Sequence, residues 1–211
     1  LLVSVFISSS LHAAPLEVSE EEMPALPNES SPFRGKVNHS GYAGYTWVGY
    51  PHVENPASLD VDPMGRLFVA EANRFWFGVP DLRRAREMIR EDFQARTIED
   101  RLAMYDKHAD KRDRAWYTQT PDRLIRLEDR DGNGVADHRT LFSDSFKEAL
   151  DGIGFSVLAE RNATYFTCIP ALRRLTDADD DGVADTNEKI VNGFGVRVSF
   201  IGHDLHGIMR G

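Results

Sequence analysis

The chain has 211 residues, 28% charged and 41% hydrophobic, a globular balance that excludes global disorder and suggests one or two domains. Its 34 acidic residues outweigh 25 Lys and Arg to give a net charge of −9, which excludes nucleic acid as a partner of the overall field and favours a cation. The one cysteine, Cys168, excludes an internal disulfide, a Cys-rich zinc site and a C-x-x-C-H haem attachment within this segment.

The first element is an apolar run, Leu1, Leu2, Val3, Val5, Phe6 and Ile7, followed by Ser8, Ser9, Ser10, Ala13 and Ala14. A short apolar core ending in small residues reads as the remnant of a signal peptide over residues 1–14, so the protein is expected to be exported. A buried N-terminal helix or strand is the other reading. Residues 15–43 are acidic and rich in Pro and Ser, as a linker is. The opposite end stops at Gly211 inside an apolar-rich stretch, and the chain is expected to be a fragment.

From Tyr45 onwards the pattern is short and β-like. Ser58–Val61 and Arg66–Ala70 flank a Pro63-Met64-Gly65 turn and predict a hairpin. A charged stretch at about 80–117 follows, with Leu82, Ala85, Met88, Ile89, Phe93, Ile98, Leu102 and Tyr105 at helical spacing. Arg123–Leu127 and Arg139–Phe142 are the next strands, then Phe155–Ala159 and Thr164–Ile169 about Asn162-Ala163, then Leu172–Leu175 and Lys189–Val191. Arg126–Asp137 aligns without gaps on Arg174–Asp185, 48 positions later, and Arg66–Ala70 aligns on Thr164–Cys168. The first unit therefore equals the second with a helical insertion. Four short strands per repeat predict an all-β fold of β-propeller type, with only about two blades present over residues 44–211; a sandwich is the runner-up.

Both Asp-rich segments join a third strand to a fourth. Asp177, Asp179, Asp181 and Asp185, with Gly182 sixth and Glu188 twelfth, supply the oxygen pattern of a twelve-residue calcium loop. The first copy has Asp129, Asp131, Asn133 and Asp137, with Thr140 where the bidentate Glu would stand. A solvated Asp/Gly turn without an ion is the alternative. Strand alternation puts these loops at one end, and His52, Glu54, Glu71, Arg74, Asp151, Arg197, His203, Asp204 and His206 at the other. His203 and His206 form H-x-x-H beside Asp204, but a zinc site lacks an identifiable third ligand. An ion pair to Asp204 or Asp151 is the structural role open to Arg197. Cys168 reads as a buried, inert thiol, and Trp47, Trp76 and Trp116 as packing residues.

Val69-Ala-Glu71 after a Gly turn, Thr97-Ile-Glu-Asp-Arg-Leu102, Tyr165-Phe-Thr-Cys-Ile-Pro170 and Gly195-Val-Arg-Val-Ser-Phe-Ile-Gly-His-Asp-Leu-His-Gly207 resemble the sorbosone-dehydrogenase-like propeller proteins of bacteria. These are similar to six-bladed, PQQ-dependent sugar dehydrogenases. The resemblance implies a six-bladed-type propeller oxidising a sugar or other alcohol with PQQ. It implies a periplasmic or extracellular location, with membrane association in some members, and a cytochrome as electron acceptor. Carried onto this chain, His203 would be the general base, Arg197 would bind the quinone or stabilise negative charge, and Asp204 and His206 would stand nearby. The non-catalytic alternative is a calcium-stabilised propeller serving as a binding or scaffold module.

Overall fold

A computed structural model describes residues 46–198 and 205–211. The expected signal peptide, the linker, His203 and Asp204 lie outside the described residues. The first sheet contains β1 (Pro56–Val61), β2 (Leu67–Glu71), β3 (Asp122–Glu128) and β4 (His138–Phe146). The second contains β5 (Gly154–Glu160), β6 (Ala163–Cys168), β7 (Ala171–Thr176) and β8 (Thr186–Asn192). Each sheet is a four-stranded antiparallel meander in chain order, with a strand at each position that the repeat predicts.

Alternation along the strands decides what the sheets bury. Phe68, Ala70, Leu124, Phe142 and Phe146 of the first sheet pack on Val157, Ala159, Phe166, Cys168 and Leu175 of the second. The other apolar side chains of β2 and β3, Leu67, Val69, Ile125 and Leu127, turn away to Val48 and Val53. Gly154 of β5 leaves room for the Phe166 ring of the neighbouring strand β6, because a Cβ there would fall 2.2 Å from that ring. Cys168 is buried and free, and burial pushes its thiol pKa well up, as an inert core thiol requires.

The repeat alignment needs one correction. Phe68 lies opposite Arg126, but Tyr165 rather than Phe166 lies opposite Arg174. The β2 equivalence is therefore one position off, and one residue exchanges the faces of a strand.

The insertion between β2 and β3 carries α1 (Ile89–Gln94) and α2 (Ile98–Lys107), with 3-10 turns at Arg86–Met88 and Ala115–Tyr117. Thr97 starts α2 through a capping box with Asp100. Leu82, Ala85, Met88, Met104, Tyr105 and Tyr117 form a separate small core closed by Ile153 and Val198, with Trp76 and Trp116 packed against it. Phe93 and Ile98 were expected on the apolar face but are exposed. The first helix is only six residues long, and the Arg197 guanidinium lies over the Phe93 ring at 5.8 Å. Among the described residues no helix is long and apolar enough to cross a membrane.

Candidate cation site and the opposite end of the sheets

The β1–β2, β3–β4, β5–β6 and β7–β8 connections share one end. There Asp129, Asp131 and Asp137 place carboxylate oxygens within 4.8 Å of one another, as do Asp177, Asp179 and Asp185. Hydrogen bonding separates the two loops. In the first, Asp129 accepts from Asn133 N and Gly134 N, Asp137 accepts from Arg130 N and Asp131 N, and Asp131 accepts from Asn133 N and Nδ2. Both oxygens of all three carboxylates are thereby engaged, and Asn133 Oδ1 accepts from Val135 N.

In the second loop each carboxylate uses one oxygen within the loop. Asp177 Oδ2 accepts from Gly182 N at 2.9 Å, Asp179 Oδ1 from Asp181 N at 3.4 Å, and Asp185 Oδ2 from Ala178 N at 2.7 Å. Asp177 Oδ1 is buried without a hydrogen-bond partner, on a side chain only 7% exposed. An orphaned buried carboxylate oxygen beside two further carboxylates suits a hard cation such as calcium. Asp181 and Glu188 stand outside this group: Asp181 Oδ1 accepts from Val183 N, and Glu188 lies in β8 facing Arg174 at 3.9 Å.

The second loop is also a docking element. Arg126 of β3, 2% exposed, donates from Nη1 to Asp177 Oδ2 at 2.7 Å and to Asp180 Oδ1 at 3.0 Å. Arg66 pairs with Asp180 as well. Ala184 N donates to Phe142 O at 2.8 Å. Sequence reasoning missed Arg66, Arg126 and Asp180. The available signal was the extra Asp180 where the first repeat has Gly132, together with the repeated pair Arg126 and Arg174.

The β2–β3, β4–β5 and β6–β7 connections lie at the opposite end, where charges are buried. The Arg74 guanidinium donates to the carbonyls of Gly78, Thr120, Glu148 and Asp151, while Arg74 N donates to Asp122 Oδ1 at 2.7 Å. Asp122 Oδ2 accepts from Gly154 N at 2.6 Å, so one carboxylate joins the insertion to the second sheet. Asp151 pairs with Arg173 at 2.9 Å; burial nevertheless raises its carboxyl pKa, against the pull of Arg173. Glu71 Oε1 accepts from Glu54 N at 2.7 Å. Burial pushes the Glu71 carboxyl up to about 7, although Arg139 and Arg123 oppose it. The buried His52 ring has no hydrogen-bond partner on either nitrogen, and burial, then Arg139, lowers its pKa.

Of the expected catalytic set, Arg197 and His206 are described. Val198 N donates to Asp92 Oδ1 at 2.7 Å, which docks this segment on the insertion. Burial raises the Asp92 carboxyl, opposed by that bond and by Arg101 and Arg197. Arg197 makes no ion pair with Asp151, whose oxygens accept from Arg173 and from Glu148 N. The exposed His206 ring lies 5.8 Å from Phe155. No hydrogen bond joins Arg197 to His206 among the described residues.

No curated protein and no solved structure matches the chain. A family model described as a domain of unknown function, DUF7133, matches residues 39–207. The chain therefore belongs to the DUF7133 family.

Proposed function

We propose that this protein is part of a β-propeller, of six-bladed type, whose second Asp-rich loop binds calcium as a structural ion. The observation that carries the calcium reading is the buried, unpartnered Asp177 Oδ1 beside Asp179 and Asp185. A further sheet-to-sheet recurrence supports the propeller. Val157 N donates to Ser58 Oγ where the sheets meet, and Gly207 N donates to Ser156 Oγ in the same relation one unit on. Likewise Ala184 N bonds Phe142 O, and Ala136 N bonds Trp47 O at the matching place in the first repeat. A serial array in which each sheet docks on the next in one way is how propellers are built. An exported location suits a loop of this kind, since extracellular calcium modules work at weak affinity.

Calorimetric titration with calcium tests the reading. The parent should bind at the second loop, and Asp177→Asn should abolish that binding while Asp129→Asn leaves it. Absence of binding in the parent, or equal losses in both variants, would overturn it.

A second reading is favoured by the docking of Val198 on Asp92, which brings the segment with Arg197 and His206 to the insertion end. That end would hold the substrate of a quinoprotein-like dehydrogenase acting on a sugar or other alcohol. Reduction of an artificial dye acceptor with a panel of sugars and alcohols, with and without added PQQ, is the test. Turnover that His203→Ala removes supports the reading. Absence of turnover from the protein in its complete form leaves the calcium-stabilised scaffold as the function.

A further inference from the structure

We propose that Arg126 is a built-in counter-cation of the second Asp-rich loop, so that its guanidinium and a divalent ion compete for the Asp177 carboxylate. The inference rests on the calcium reading above and adds how that site is regulated.

Charge is the first observation. Residues 177–185 hold five aspartates where residues 129–137 hold three aspartates and Arg130. The excess is offset from across the sheet interface: Arg126 grips Asp177 and Asp180, and Arg66 pairs with Asp180. Arg126 also donates from Nε to Glu128 Oε1 at 2.9 Å, so its head is fixed at both sides. The first loop has no comparable arginine among the described residues; its carboxylates are filled by its own backbone amides and the Asn133 side chain.

Position is the second observation. Asp177 divides its two oxygens, with Oδ2 taken by Arg126 and Gly182 N, and Oδ1 buried and empty of partners. An ion bound at Oδ1 would sit within a few ångströms of a buried guanidinium, where like-charge repulsion is poorly screened. A cleft of about 270 Å3 lined by Arg66, Arg126, Asp177 and Asp180 gives the guanidinium room to withdraw. Because Arg126 belongs to the first sheet and the loop to the second, ion binding is coupled to sheet docking, and the coupling is reciprocal.

The test is calcium titration of the whole chain carrying Asp131→Asn to silence the first loop. Arg126→Gln should tighten binding about tenfold or more, Arg126→Lys should keep the parental affinity, and Arg66→Gln should tighten it about threefold. Saturating calcium should also shrink the loss of melting temperature caused by Arg126→Gln. Should Arg126→Gln fail to fold, Arg66→Gln and Arg126→Lys decide the matter. Calcium binding that the glutamine variants leave unchanged or weaken would overturn competition while the calcium reading stands. Binding by neither parent nor variants would overturn both.

Discussion

At one end of the paired sheets the carboxylates are clustered and mostly exposed, and those of the second loop are held by arginines reaching over the interface. At the other end Glu71, Asp122 and Asp151 are buried, each fixed by backbone amides or an arginine. Water separates the two cases. Exposed ion pairs contribute little because each group is well solvated without its partner, whereas a buried group depends wholly on its fixed contacts. The exposed carboxylates of the Asp-rich end, such as Asp180, can therefore exchange their counter-charges, and the buried groups of the insertion end cannot.

The sharpest way to break this comparison is to remove one carboxylate from each end. Asp151→Ala leaves Arg173 buried and uncompensated and should cost about 3–5 kcal/mol in urea unfolding. Asp180→Ala, at an exposed carboxylate, should cost less than about 1 kcal/mol. Similar losses at both positions would remove the distinction.

Protonation sharpens it next. The Glu71 carboxyl is raised from 4.5 to about 7 in the folded protein. Between those values the folded state holds a proton that the unfolded chain has released. Stability from this group is therefore full below about 4.5 and is lost as pH rises towards 7. The whole change is on the order of 3 kcal/mol. Glu71→Gln should flatten that slope, read as urea midpoints compared at about pH 5 and about pH 8.

The smallest expected effect compares the two loops. Gly182 has φ +97, and a Cβ there would meet Thr140 Oγ1 at 2.6 Å; Gly132 has φ +72 and open space. Gly182→Ala should cost about 2 kcal/mol and Gly132→Ala about 1 kcal/mol, the second from backbone strain alone. Thermal unfolding of the two variants checks the order.

How far this contrast could be read beforehand depends on distance along the chain. The eight strands were legible because alternation and turn residues are local, and the gapless repeat made one unit confirm the other. The two ends followed from strand order, and the helical insertion from the helical spacing of its apolar residues and the extra length of the first repeat. The grip of Arg126 on Asp177, a contact across 51 positions, was not legible, since it depends on how one sheet leans on the next. The burial of Glu71 was hidden for the same reason: its cover is a segment around Val53 and Glu54 that carries no regular pattern. The clustering of Asp179 and Asp185 was legible, but which oxygens their loop leaves unbonded depends on backbone amides that no residue pattern records.

The insertion has a consequence for how the first sheet closes. Glu71 and Arg123 are direct partners in the β2–β3 ladder, with the entire insertion between them, whereas Cys168 and Ala171 of the second sheet are joined by two residues. Each doubling of a flexible loop adds roughly 0.6 kcal/mol of closure entropy, so a slack insertion of this length would burden the first sheet by about 3 kcal/mol relative to the second. The small core around the stacked Tyr105 and Tyr117 rings removes that burden by shortening the effective loop. Loosening a helical core that touches neither strand would therefore be felt as a slower and weaker closure of the β2–β3 ladder.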